Sequence, residues 1–158
     1  MAEILSLTPP RWLSLCGYSG TGKTLLARKF GAFMRKRGQF YIEPRTGAQC
    51  VRQWAYWGED ELARDLRDGN HRLVDDLSSV WLLVLDDLGF SNDNTGFITS
   101  CLGEILNRRA RKWTFITTNL STKEWAQRDP RIASRLMRDE NKVIPFTCKD
   151  YALRKAAA

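Results

Sequence analysis

The sequence predicts an α/β fold in which helices cover both faces of a central parallel sheet of about five strands, a three-layer sandwich. Three observations predict it. Short apolar runs alternate with stretches of helical periodicity, the pattern of a parallel sheet with crossover helices. The first run ends in a glycine-rich segment that opens a helix, and a later run ends in two aspartates, Asp86 and Asp87. With 158 residues, 43% hydrophobic and 27% charged, and no Pro/Gly/Ser-rich linker, the chain reads as one domain spanning 1–158. Its core would run from about 11 to 148, followed by a short tail over 149–158.

Composition excludes several classes. No apolar run nears the roughly 18 residues of a membrane span, and the segment from Met1 to Leu7 lacks the basic and apolar regions of a secretion signal, so no membrane is expected and a cytoplasmic location is. One histidine and four dispersed cysteines do not make a zinc site or a disulfide framework, which leaves the cysteines as buried small hydrophobes. The net charge of +7 is unevenly distributed: residues 11–52 hold nine Lys/Arg against one acid, 53–107 three against eleven, and 108–158 thirteen against five. Solvated helix faces explain this as well as attraction to phosphate backbones, or basic and acidic faces meeting between subunits, does.

Arg11 to Gly17 is a buried strand ended by a turn. Leu25, Leu26, Phe30, Phe33 and Met34 follow close to helical spacing in a segment closed by Gly38, and Phe40 to Glu43 reads as a second strand. From Thr46 to Ser79 the pattern is mostly helical, with breaks at Gly58 and at Asp68-Gly69-Asn70. Trp81 to Asp86 is a buried strand. Ile98, Cys101, Leu102, Ile105 and Leu106 place a helix over Thr95 to Arg109. Trp113 to Thr118 and Lys142 to Phe146 complete the strands.

Chemistry enters where the first strand meets the first helix. Gly17-Tyr18-Ser19-Gly20-Thr21-Gly22-Lys23-Thr24 fits G-x-x-x-x-G-K-[ST] at every fixed position, followed by Leu25 in the helix. Such a loop turns backbone N–H groups onto phosphates at a helix N-terminus, Lys23 adds positive charge for the β- and γ-phosphates, and Thr24 offers a hydroxyl to Mg²⁺. ATP with Mg²⁺ is the expected ligand pair. Leu82-Leu83-Val84-Leu85-Asp86-Asp87 carries two carboxylates to the C-terminal edge of a buried strand. There Asp86 would hold Mg²⁺, and Asp87 would orient or deprotonate the attacking water. Asn119, at the end of the next strand, would face the γ-phosphate; taken alone, without the other motifs, it reads first as a turn residue or cap before Ser121.

CGYSGTGKT, LLVLDDLG, FITTNLS and RIASRLM stand in the order and at about the spacing of AAA+ ATPases. More narrowly, the chain from about Trp12 to Tyr151 resembles the DnaC/IstB group of helicase loaders and transposition helpers, related to the initiator DnaA. The resemblance implies an AAA+ P-loop fold, from which two departures are expected: sixteen residues ahead of Gly17 are too few for the partner-binding domain of relatives, and too little chain follows the last strand for a full helical lid. It makes Gly17–Thr24 Walker A, Asp86 and Asp87 Walker B and Asn119 sensor 1, and it matches Arg135 to the arginine finger that acts on a neighbouring subunit, with Arg131 as second candidate. Asp150-Tyr151-Ala152-Leu153-Arg154 resembles the ending of IstB-like relatives, with its arginine displaced by two positions.

The resemblance also implies a nucleotide-dependent homo-oligomer that grips single-stranded DNA and serves a replicative helicase or a transposase. Arg45, Arg52, Trp54, Tyr56 and Trp57 mix arginine with aromatic rings on expected helices, as base stacking requires, although core packing competes for both tryptophans. Arg108, Arg109, Arg111 and Lys112 form a second basic group. The leading expectation is an ATP-hydrolysing, DnaC-like helicase loader in DNA replication. An IstB-like transposition helper is the same machinery with another client; a nucleotide-gated DNA-binding scaffold with little hydrolysis is the alternative of another class. A small-molecule kinase shares only the P-loop.

Overall fold

The computed structural model describes residues 12–36, 40–42, 49–51, 53–89, 93, 95–138 and 140–148. Five strands, β1 (Trp12–Cys16), β4 (Trp54–Gly58), β5 (Leu82–Leu88), β6 (Trp113–Thr118) and β7 (Lys142–Pro145), form one sheet in the order β4-β5-β6-β1-β7. Every neighbouring pair in it is parallel. Two short strands, β2 (Phe40–Ile42) and β3 (Gln49–Val51), pair antiparallel in a separate ribbon.

The sheet separates two apolar clusters because its strands are apolar at successive residues, so each supplies both faces. Leu82 and Val84 of β5 join Leu13, Leu15, Trp113 and Phe115 under α1 (Lys23–Lys36), where Ala27 and Phe30 are fully buried. Leu83 and Leu85 face the other way. They meet α2 (Glu59–Arg67), α3 (Arg72–Ser79), α4 (Phe97–Arg108), α5 (Thr122–Arg128) and α6 (Pro130–Leu136), whose buried residues include Leu66, Leu77, Ile105, Trp125 and Ile132. Helices on both faces make the three-layer sandwich that the alternating pattern predicts.

Three elements differ from expectation, β3 among them, since Gln49–Val51 is a strand within the stretch from Thr46 to Ser79 expected to be mostly helical. Trp54–Gly58 is an edge strand and not helix: Trp54 and Tyr56 pack under α1 while Ala55 and Trp57 face the opposite cluster, an alternation of period two. Phe40–Ile42 is a strand as expected, yet it pairs with β3 and not with the main sheet. The breaks near Gly58 and at Asp68–Asn70 do separate β4, α2 and α3. Cys16 is buried as expected of a small hydrophobe, Cys101 is half-buried, and Cys148 is exposed because it follows the last strand. Among the described residues no helix is long and apolar enough to cross a membrane.

Caps fix the helices nearest the site. At the N-terminus of α5 the Ser121 hydroxyl accepts from the Glu124 N–H, and the Glu124 carboxylate accepts from the Ser121 N–H. Asp129 caps α6 by accepting from the Arg131 and Ile132 N–H groups at 2.8 and 3.2 Å, with Pro130 in the first turn, where its missing N–H costs nothing.

Candidate active site

The strand order puts three sequence signals at one sheet edge. β1 ends in the glycine-rich loop, β6 lies beside β1 and ends at Asn119, and β5 lies beside β6 and ends in the aspartate pair. A cleft of about 600 Å³ opens there, lined by Ser19, Gly20, Thr21, Gly22, Lys23, Thr24 and Leu25 of the loop and helix start, and by Leu26, Lys29, Asp87, Asn119 and Phe146. Gly17 has to be glycine for space: a Cβ there would sit 2.3 Å from the Phe146 carbonyl oxygen. Gly20 and Gly22 adopt φ of 74° and 96°, the left-handed region that glycine enters at no steric cost.

Lys23 is only 5% exposed. Its ammonium donates to the Gly17 and Tyr18 carbonyls, each at 2.7 Å, and to Thr21 Oγ1 at 3.3 Å, so the loop's own oxygens hold the charge at its centre. Burial pulls the Lys23 pKa below the usual lysine range, against the pull of Asp87, Cys16 and Asp86. Tyr18, at 84% exposed, projects outward from the loop and does not line the cleft, whereas Leu25 does.

The two aspartates take different places. The β5–β6 register shifts between Leu85 and Leu88, and Asp87 has φ of 60°, a left-handed conformation that aspartate tolerates better than most side chains. Asp87 thereby reaches the cleft, where Oδ1 accepts from Asn119 Nδ2 at 2.7 Å, and its own N–H donates to Thr117 Oγ1 at 2.8 Å. Burial, then the Asp86 charge, push the Asp87 carboxyl above the usual carboxylate range, with Lys23 opposing and Asp60 adding to the rise. Asp86 lies behind the cleft, 5% exposed, between hydroxyls of the flanking strands: Tyr56 donates to Oδ2 and Thr117 to Oδ1, both at 2.5 Å. Sequence reasoning singled out neither Thr117 nor Tyr56 for the site; a hydroxyl two residues before Asn119 was the available signal for the first.

Gly89 closes the turn after β5. Its N–H donates to buried Glu59 at the start of α2, and its carbonyl accepts from Arg128 of α5. Glu59 went unnoticed because a carboxylate at a helix start ordinarily reads as a solvated charge.

The arginines divide. Arg131, Arg135 and Arg138 surround a separate surface cleft of about 360 Å³ with Pro130 and Ser134, and none of them lines the P-loop cleft. Arg135 donates to Asn107 Oδ1 at 3.0 Å, while its Nε is buried without a hydrogen-bond partner; Arg131 pairs with Asp129 at 3.3 Å.

The basic group at the end of α4 divides: Arg111 is exposed, while the others bond within the chain. Arg109 is 0% exposed, donates to Thr114 Oγ1 and to the Leu77, Val80 and Trp113 carbonyls, and is pulled down to about 10 by burial, so it cannot meet DNA. Arg108 is engaged by Asp75 and Glu104, and Lys112 donates to the last carbonyls of α3. Trp54 and Trp57 pack on opposite faces of the sheet and are not a stacking platform on a helix. Arg45, Arg52 and Arg154 lie outside the described residues.

Solved structures place this architecture. The replication initiator DnaA bound to AMPPCP and single-stranded DNA superposes with a TM-score of 0.71 over 94% of this chain and 44% of that one, at 20% identity. Domain III of the Thermotoga maritima replication initiation protein DnaA matches with a TM-score of 0.71 over 98% and 62%, also at 20% identity. The fold is that of the DnaA/DnaC-type AAA+ domain. The DnaC helicase loader adds a TM-score of 0.67 over 92% of this chain and 85% of that one, at 22% identity. In sequence, the chain is similar to an ATPase family AAA domain-containing protein of Arabidopsis thaliana, 45% identical over 60 residues. That match covers 36% of this chain and 5% of the plant protein. No family model matches.

Proposed function

We propose that this chain is an AAA+ ATPase that hydrolyses ATP between subunits and uses the cycle to serve DNA replication as a helicase-loading factor. The observation that carries the reading is the Lys23, Asp87 and Asn119 constellation in one cleft, with Asp87 joined to Asn119. Lys23 would meet the β- and γ-phosphates, exchanging the loop carbonyls for phosphate oxygens. Asp87 would accept the proton of the attacking water; a carboxyl held above its ordinary range is the better base for that step. Asn119 would hold Asp87 and the water in line.

The donor chemistry fits Mg²⁺, since the Thr24 hydroxyl and the Asp86 carboxylate are hard oxygen donors. Among the described residues no cluster of three or more His, Cys, Asp or Glu forms a metal cage, so phosphate oxygens would complete the shell. Bound there, Mg²⁺ neutralises charge developing on the phosphates.

Arg135 is assigned as the finger, with Arg131 beside it. Both stand at a surface cleft away from their own chain's P-loop, which supports action on a neighbour's nucleotide. Mixing inactive variants tests this. Lys23→Ala lacks the phosphate cation and Arg135→Ala lacks the finger, so each alone is expected to be inactive and their mixture to recover a fraction of wild-type turnover. A mixture as inactive as its components contradicts hydrolysis between subunits.

Single-stranded DNA as a ligand is supported by the DnaA neighbour, whose structure holds it. The helicase client is supported by the DnaC neighbour. A replicative context is favoured over transposition because the neighbours named are initiators and loaders.

A further inference from the structure

We propose that Tyr56 is a positioning residue for the cation site: its phenol and the Thr117 hydroxyl hold the Asp86 carboxylate from both sides in the orientation that receives Mg²⁺. This rests on the reading of Asp86 given above. Tyr56 stands on β4 opposite Val84 of β5, and Thr117 on β6, so the carboxylate projects between two neighbouring strands. Its two oxygens accept from different hydroxyls at 2.5 Å each. Rotation of the carboxylate about its Cβ–Cγ bond would break one or both bonds. Each oxygen keeps a second lone pair, and Mg²⁺ commonly retains several waters through which a carboxylate can hold it indirectly.

The tyrosine is itself held. Its ring packs under α1, where Gly31 makes room: a Cβ there would lie 3.1 Å from the Trp54 ring and 3.9 Å from Tyr56 Cδ2. Arg28, exposed on α1, hydrogen-bonds the phenol. A phenylalanine would fill the same space; what the hydroxyl adds is its bond to Asp86. Partners of this kind, which orient a ligating side chain, typically change metal affinity by about 10- to 100-fold when removed.

The test titrates Mn²⁺ into the full chain with saturating AMPPCP, reading free Mn²⁺ by electron paramagnetic resonance. AMPPCP affinity in EDTA and the melting temperature are measured alongside. Tyr56→Phe is expected to weaken Mn²⁺ binding by about tenfold while the EDTA affinity and melting stay at wild-type values. Thr117→Val, which removes the other hydroxyl on the Asp86 carboxylate, is the second variant and is expected to shift Mn²⁺ affinity in the same direction. Wild-type Mn²⁺ affinity in both variants, with Asp86→Asn weakened, overturns the inference while leaving Asp86 in its role. Tighter Mn²⁺ binding in Tyr56→Phe also overturns it, because the phenol would then compete with the cation. Unchanged affinity in Asp86→Asn removes the reading on which the inference rests.

Discussion

Asp87 and Arg109 are both polar groups taken out of water, and they serve opposite ends. Asp87 is ionisable in a site that disfavours its charge: the fold binds its proton more tightly than the unfolded chain does. Its ionised form therefore costs stability, a cost fully present above the raised folded pKa and absent below the ordinary aspartate pKa. Asp87→Asn is expected to melt higher than wild type at neutral pH while losing turnover, and the gain should vanish as the pH is lowered through the acid range. Thermal scans from pH 3.5 to 8 check this. Burial disfavours the Arg109 charge as well, but its four hydrogen-bond acceptors tie α3, α4 and β6 together. Arg109→Ala would leave buried carbonyls unpaired and is expected to cost about 3 kcal/mol or more in denaturant unfolding, against about 0.5 or less for exposed Arg111→Ala. In sequence the two arginines look alike, because a run of basic residues carries no mark of which one points inward.

Among the elements, legibility followed the strength of local pattern. β1 and β6 could be read within a residue and β5 within two, because each is a mainly apolar, buried run near a glycine, aspartate or asparagine, and α4 because its apolar residues keep a helical period. β4 could not. WAYWG is five residues long, half-buried throughout, and its alternation is between aromatics of similar hydrophobicity, so pairing with β5, not composition, decides its state. The same blindness hid Tyr56 from the site, since a residue expected on a helix has no reason to reach a strand tip. α6 begins at Asp129-Pro130, a cap followed by a proline in the first turn. Asp129→Ala is expected to destabilise by about 1 kcal/mol through loss of that cap. Burial alone would push the Asp129 carboxyl up, but the Ile132 and Arg131 N–H groups and the Arg131 guanidinium hold it below the ordinary range. Its contribution is thus present above the ordinary aspartate pKa and lost as pH falls through the lowered one, so the deficit of Asp129→Ala should shrink in acid unfolding.

At the scale of the molecule, the topology converts separate motifs into one machine. Placing β6 between β1 and β5 sets Asn119 between the P-loop and the aspartates, and the Gly89 turn joins the β5 tip to α2 through Glu59 and to α5 through Arg128. The next helix, α6, carries Arg131 and Arg135 to a face of its own. A chain built this way has its phosphate cradle and its proposed finger on different surfaces, and the central claim is that a neighbour completes the site. Steady-state ATP hydrolysis per chain, measured against protein concentration with and without single-stranded DNA and with Lys23→Ala as the blank, tests that claim most directly. The account predicts turnover per chain that rises with concentration, and further with DNA, and that disappears in Arg135→Ala. Turnover per chain that is constant across dilution and unchanged in Arg135→Ala would contradict it.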